Sequence, residues 1–202
     1  GDETDETFGN PDLGLEQAIQ LSLGGEWKPF DFLSFDLTLF YNQLQNQVSR
    51  AGAQAIYDNE GKGRSFGMEI FIRHDFHNNF RGWLSYTLSR SERTESGETE
   101  ARLFTFDQTH ILNINLSYVF PANWEVGLRW RLVSGNPYTP FNGGVYLSDF
   151  DRFAPIPGEV NSARLPLFHQ LDLRVEKRWI FDWWSMPWPR KASSASPVRP
   201  SL

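Results

Sequence analysis

Residues 109–132 read THILNINLSYVFPANWEVGLRWRL, and this stretch decides the fold. Before the Pro121-Ala122-Asn123 turn, Leu112, Ile114, Leu116, Tyr118 and Phe120 alternate with Ile111, Asn113, Asn115, Ser117 and Val119. After it, Trp124, Val126, Leu128, Trp130 and Leu132 alternate with Glu125, Gly127, Arg129 and Arg131. A period of two marks a β-strand with two unlike faces. One face is apolar throughout, with aromatics beside the turn, and the other is polar or charged along most of its length. Each run is about ten residues, long for a soluble strand and suited to a tilted strand crossing a membrane. The stretch predicts a hairpin whose apolar face meets lipid.

The same alternation recurs on both sides of it. Upstream, Phe80, Gly82, Leu84, Tyr86 and Leu88 oppose Arg81, Trp83, Ser85, Thr87 and Ser89, and Phe66, Met68, Ile70 and Ile72 oppose Ser65, Gly67, Glu69, Phe71 and Arg73. Further back, Leu33, Phe35, Leu37, Leu39 and Tyr41 oppose Ser34, Asp36, Thr38, Phe40 and Asn42. The first run sets Ile19, Leu21, Leu23, Gly25 and Trp27 against Gln20, Ser22, Gly24 and Glu26, and ends at Trp27. Downstream, Leu171, Leu173 and Val175 oppose Gln170, Asp172, Arg174 and Glu176 in a last strand reaching Trp179. Phe71 and Trp83 break the polar parity.

The connections alternate in length. Residues 28–32, 75–79 and 121–123 are short, whereas 43–62, 90–106 and 134–168 read as long loops, the last so dense in Gly and Pro that no regular structure is expected. Short turns at one end and long loops at the other are the topology of an outer-membrane β-barrel. Trp27, Phe35, Phe80, Phe120, Trp124 and Trp179 fall at the short-turn end on the apolar parity, where an interfacial aromatic girdle would lie, and Tyr41, Phe66 and Tyr86 mark the opposite rim. The fold class is all-β: an antiparallel transmembrane β-barrel, incomplete, with about seven meandering strands. An unplugged porin or adhesin barrel and a soluble all-β binding module share parts of this pattern and stay open.

Composition agrees. Among 202 residues the aromatic fraction is 15%, yet mean hydropathy is -0.47 and no apolar run is long enough for a membrane helix. A barrel hides its hydrophobicity in every second residue. The chain has no cysteine, which excludes disulfides and thiolate metal sites. A net charge of -6 without a basic stripe speaks against nucleic acid. The acidic beginning, Gly1 to Glu6, is no signal peptide, so a processed or partial chain is expected, a partial one preferred.

Several segments resemble the barrel of TonB-dependent receptors. Asn10-Pro11-Asp12-Leu13 followed by Glu16 resembles the family's lead-in to a barrel strand, with Gly14-Leu15 where the family has Lys-Pro. Residues 59–69, 82–89, 106–113, 134–140 and 164–174 are similar to further pieces, in the family's order over roughly residues 8 to 184. The resemblance implies a receptor of about twenty-two strands around an N-terminal plug. Such a receptor imports a scarce nutrient of the siderophore, cobalamin or oligosaccharide class with energy from the inner membrane. This chain would supply late strands, and its partners would be outer-membrane lipid, a plug domain and the remaining strands outside the chain, and a small-molecule or oligosaccharide substrate. TonB would be reached only through the absent N-terminal part. Residues 1–17 are expected as an extracellular loop leading into the barrel, 18–180 as the partial barrel, and 181–202 as an aberrant Pro/Ser-rich tail, disordered in isolation and read as a frameshifted or truncated end.

No motif announces catalysis: P-loop, dinucleotide fingerprint and nucleophile elbow are all lacking, and no cofactor is expected. His74 and His77 fall in a turn and His110 and His169 on separate strands, so no metal site is expected from them. Asp149, Asp151 and Glu159 read as a solvated acidic loop rather than a calcium loop. Candidate functional residues are of two kinds. Glu69, Arg73, Arg81, Glu125, Arg129, Arg131, Asp172, Arg174 and Glu176 are expected to face the lumen, mostly as paired wall charges. The loop aromatics Tyr57, Phe104, Tyr138, Phe141, Tyr146 and Phe150 are expected to touch substrate, since rigid amphipathic rings bind at small entropic cost.

Overall fold

The computed structural model describes residues 13–51 and 56–180. Its strands in chain order are β1 (Gln17–Phe30), β2 (Leu33–Ala51), β3 (Ile56–His77), β4 (Phe80–Thr94), β5 (Arg102–Leu103), β6 (His110–Phe120), β7 (Trp124–Val133), β8 (Pro137–Tyr138), β9 (Phe141–Leu147), β10 (Arg152–Pro157), β11 (Ala163–Arg164) and β12 (Phe168–Lys177). The main sheet runs β1-β2-β3-β4-β6-β7-β12, every neighbouring pair antiparallel, with β5 added beside β4. It is the expected up-and-down meander, left open between β1 and β12.

The register puts the alternating residues on one face from edge to edge. Trp27, Phe35, Ile72, Leu84, Ile114, Trp130 and Leu171 lie opposite one another across all seven strands of the path. Behind that row, Asp36, Phe71, Ser85, Asn113, Arg131 and Gln170 form one on the other face. A one-residue slip in any pair would exchange the faces, so the parities lock the register. Among the described residues Val133 is the one buried hydrophobic, and the apolar face is bare, Leu173 being 68% exposed. A sheet must bury its apolar face against a second layer. None is present among the described residues, and the surface is one that an apolar solvent would cover.

The short turns follow from local chemistry. Asn78 and Asn79 both take positive φ (49° and 65°), as a two-residue hairpin turn between twisted strands requires. Ala122 and Asn123 do the same after Pro121, at φ 59° and 62°. Aromatics gather at this end: Trp27 stacks on Phe35 at 5.5 Å, and the Lys177 ammonium lies 5.1 Å from the ring centres of both Trp124 and Trp179. On the polar face Phe71 and Trp83 meet each other at 6.1 Å, which explains their shared departure from the parity. Phe40 covers Gly67, where an added Cβ would lie 2.2 Å from the Leu88 carbonyl oxygen and 3.0 Å from the Phe40 ring.

Five expectations need correction. Residues 43–51 and 56–62 are no loop, because β2 and β3 continue as a paired ribbon through Leu44 opposite Gly63, Gln47 opposite Gly61 and Ser49 opposite Asp58. Beyond the apolar band both faces of a ribbon can be polar, so the alternation that signals a strand inside it vanishes while the backbone pairing persists. Residues 90–106 likewise begin as strand, β4 running to Thr94 and pairing with β5. The third long connection, expected to be irregular, holds a β9–β10 ribbon and the short β8–β11 pair. A two-stranded ribbon has only edges, which tolerate Pro155 and Pro157. At the ends of the sheet β1 runs on to Phe30 rather than Trp27, and β12 stops at Lys177 rather than Trp179. Residues 1–12, including Asn10-Pro11-Asp12, and the tail 181–202 lie outside the described residues.

Candidate functional site

The polar face sorts its charges by partner. Arg81 on β4 reaches across β6 to Glu125 on β7 at 2.6 Å, and Ser117 between them donates to the same carboxylate oxygen at 2.5 Å. Arg73 lies 3.6 Å from Asp75, and Arg174 is paired with Glu176. Asp172 accepts from the Gln170 amide at 3.0 and 3.1 Å. Glu69 sits between Thr38 and Thr87 with no ionic partner among the described residues.

Arg129 and Arg131 differ from the rest. Both are exposed on β7 with strands on either side, Arg129 opposite Asn115 and Asp172 and Arg131 opposite Asn113 and Gln170. Neither makes an ion pair or hydrogen bond among the described residues. Arg131 also lines an open hollow of about 390 Å³ at the long-connection end of the sheet, with Gln108, Ser134 and Asn136 as polar neighbours and Leu165 and Pro166 at its rim. Two guanidinium forks with unspent donors beside amide groups suit an anionic or carbonyl-rich guest.

Above the hollow, the 134–168 segment is fastened down by a network no sequence pattern announced. Asp107 is 1% exposed. Its Oδ1 accepts from the Ser91 backbone N–H at 2.6 Å, and its Oδ2 accepts from Arg164 Nη2 at 2.5 Å and from Thr109 Oγ1 at 3.0 Å. Arg164 Nη1 donates to the Asp107 and Gly135 carbonyl oxygens, each at 3.1 Å. Asn161, at φ 56°, donates its side-chain amide to the Leu103 carbonyl oxygen at 2.7 Å and its backbone N–H to Thr139 Oγ1 at 3.1 Å. Asp107 and Arg164 stand 57 positions apart, so only their place in the segments quoted above could have drawn attention to them.

The six aromatics are dispersed. Phe141, Tyr146 and Phe150 belong to one projecting ribbon, with the Tyr146 ring 5.2 Å from Phe153 and Phe150 5.3 Å from the Arg152 guanidinium. The Tyr146 hydroxyl donates to Asp151 Oδ1 at 2.5 Å, and this bond pushes the phenol above its ordinary pKa. Phe104 is half-buried, with Arg93 4.1 Å above its ring. Tyr138 lies on β8 opposite Ala163, and Tyr57 lies far out on β3 opposite Arg50. No group of three or more His, Asp or Glu with metal-binding geometry occurs among the described residues. His74 and His77 pack instead around Phe32, the latter stacked at 4.1 Å.

Comparison with known proteins places this geometry. Residues 2–186 match the family described as TonB dependent receptor-like, beta-barrel. Among solved structures, the ferric-catecholate import receptor Fiu from K12 E. coli in its closed form aligns with a TM-score of 0.55 and 18% identity, over 64% of this chain and 19% of its own. The FrpB iron transporter from Neisseria meningitidis aligns with a TM-score of 0.53 and 14% identity, over 81% of this chain and 24% of its own. FpvAI, in its complex with pyocin S2, gives a TM-score of 0.54 and 15% identity over 81% and 22%. No curated protein matches the chain. The chain spans about a fifth of the length of these receptors, and at such identities they speak for the fold alone. The family match over most of the chain carries the assignment: it belongs to the TonB-dependent receptors, transporters of the outer membrane, and forms part of their β-barrel.

Proposed function

We propose that this chain is wall, residues 18–180, of a plugged outer-membrane receptor that takes up a scarce nutrient with energy delivered through TonB, and that the nutrient is an anionic chelate of the siderophore class. The polar face is then the lumen wall, and the ends of β4, β6, β7 and β12 nearest the long connections form part of the mouth. Residues 1–17 lead into the wall from outside, and the plug and TonB contact lie in parts of the receptor beyond this chain.

The observation that carries the substrate class is the pair Arg129 and Arg131, cations without partners among the described residues, one lining the hollow below the mouth. Cobalamin and neutral oligosaccharides would gain little from them. The ribbon bearing Phe141, Tyr146 and Phe150 supplies first contact, and Tyr57, Phe104 and Tyr138, on separate elements at the long-connection end, add further contacts. The paired charges Arg81, Glu125, Arg174, Glu176, Arg73 and Asp172, together with Glu69, serve the wall and its contact with the plug.

The test is uptake and binding in the complete receptor. Hydrogen bonds to charged groups contribute about 1.5–3 kcal/mol each. Arg129→Gln with Arg131→Gln should therefore weaken binding of an anionic ferric chelate at least about tenfold and leave a neutral ligand unaffected. Equal affinities in parent and variant would remove the chelate assignment. A steady conductance through the parent receptor in planar bilayers would favour the unplugged porin reading instead.

A further inference from the structure

On the apolar face, β3 and β4 change character abruptly at the mouth end. The last apolar rung joins Tyr41 to Phe66, and Phe66 lies opposite Arg90. The next rung outward on the same face joins Gln43, Arg64 and Glu92, and one rung further Lys62 lies opposite Thr94. Arg64 is therefore about 7 Å beyond the last lipid-facing ring of its strand, since successive same-face residues are spaced by two strand steps. This is the height at which headgroups meet a membrane protein.

Glu92 is only 6% exposed, because two guanidinium groups cover it: Arg64 Nε and Nη2 reach Oε2 at 2.6 and 2.5 Å, and Arg90 Nε reaches Oε1 at 2.6 Å. The arginine side chains themselves stay 51% and 55% exposed. One carboxylate aligns both forks and neutralises one of them. Arg64 Nη1 and both Arg90 Nη groups have no other partner among the described residues, and Lys62 adds a further cation. Glu60, the next acid outward, is turned to the Ser96 hydroxyl at 3.2 Å. A pair that served the strands alone would need one arginine. The second leaves a net positive, doubly forked surface facing out of the sheet at its junction with lipid, which matches a phosphate oxygen array.

We infer that Arg64 and Arg90, aligned by Glu92 and assisted by Lys62, clamp the phosphate of a phosphorylated lipid headgroup on the outside of the barrel wall. The inference rests on the membrane-embedded reading of the apolar face. Its occupant is a lipid phosphate rather than free phosphate because the clamp is continuous with the lipid-facing stripe through Phe66 and Tyr41.

The complete receptor in detergent, offered bis-phosphorylated lipid A, dephosphorylated lipid A or inorganic phosphate, tests this by native mass spectrometry. The parent should retain lipid A and bind the dephosphorylated form roughly tenfold more weakly, and Arg64→Gln with Arg90→Gln should show the same roughly tenfold loss. Arg64→Lys with Arg90→Lys keeps the charge and loses the fork, so it should fall between the two. Unchanged retention in the Gln pair, equal binding of both lipids, or binding of inorganic phosphate with none of lipid A would each overturn the clamp. A parent receptor that fails to insert into phospholipid vesicles would overturn the membrane reading, independently of any arginine variant, and the clamp with it.

Discussion

Asp107→Ala in the complete receptor frees the mouth segment from the sheet, and amide hydrogens of residues 135–164 exchange about a hundredfold faster than in the parent. The magnitude follows from what is left behind. Asp107 is fully buried as a side chain, whereas Arg164 keeps 31% of its exposure. Breaking a buried pair by removing one partner costs about 3–5 kcal/mol, and the partial exposure of Arg164 argues for the lower end. A local opening cheaper by about 3 kcal/mol is a little more than a hundredfold in its equilibrium constant, read directly by exchange when opening is fast and reversible. The change should stay local. The strands of the main sheet keep their protection because the one strand amide that the Asp107 carboxylate holds is the Ser91 N–H. Asp107→Asn preserves an acceptor and removes the charge, so a smaller acceleration is expected. Arg164→Ala leaves a buried carboxylate with only Ser91 and Thr109 as donors and should match or exceed Asp107→Ala. Unaltered exchange over 135–164 in both alanine variants would show that the segment is held by something else.

Leu37→Arg destabilises the receptor in phospholipid vesicles by about 2–4 kcal/mol, whereas Thr38→Arg, one residue away, changes stability by less than about 0.5 kcal/mol. Leu37 lies opposite Gly25 and Ile70 on the apolar face, midway between Leu33 and Tyr41, where an arginine would meet the bilayer centre. Thr38 lies opposite Gly24 and Glu69 on the polar face. An arginine there gains the ionic partner Glu69 lacks among the described residues, and Gly24 leaves it room. Denaturant titrations of the two variants side by side measure the difference. Equal losses would mean that the two faces meet the same solvent, and the lipid assignment of the stripe would fail. The comparison depends only on period-two geometry, so it does not require the substrate or the plug to be known.

The parity of residues 109–132 was legible from the chain alone, and the structure pairs Phe120 with Trp124 and Leu112 with Leu132 as that parity requires. Strand direction, face assignment and the turn at 121–123 all follow from neighbours within a dozen residues, because side-chain alternation is a local property of extended backbone. The same logic ends where lipid ends. Past Gln43 and Arg64 the β2–β3 ribbon is polar on both faces, so composition no longer separates strand from loop over 43–51 and 56–62. Pro155 and Pro157 misled in the same way, since a pattern rule for central strands says nothing about a ribbon made of edges.

Pairing between distant side chains was decided by the tertiary structure. Glu125 could be placed on the polar face from its position, but its partner Arg81 stands two strands away and is reached only because the β4–β6–β7 register brings both to Ser117. The same register leaves Arg129 and Arg131 without partners among the described residues and sets Arg64 beside Arg90 around one carboxylate. Alternation tells each residue which face it occupies. Which charge on that face finds another depends on strand offset and on contacts such as Asp107 with Arg164, and these exist only once the sheet has formed.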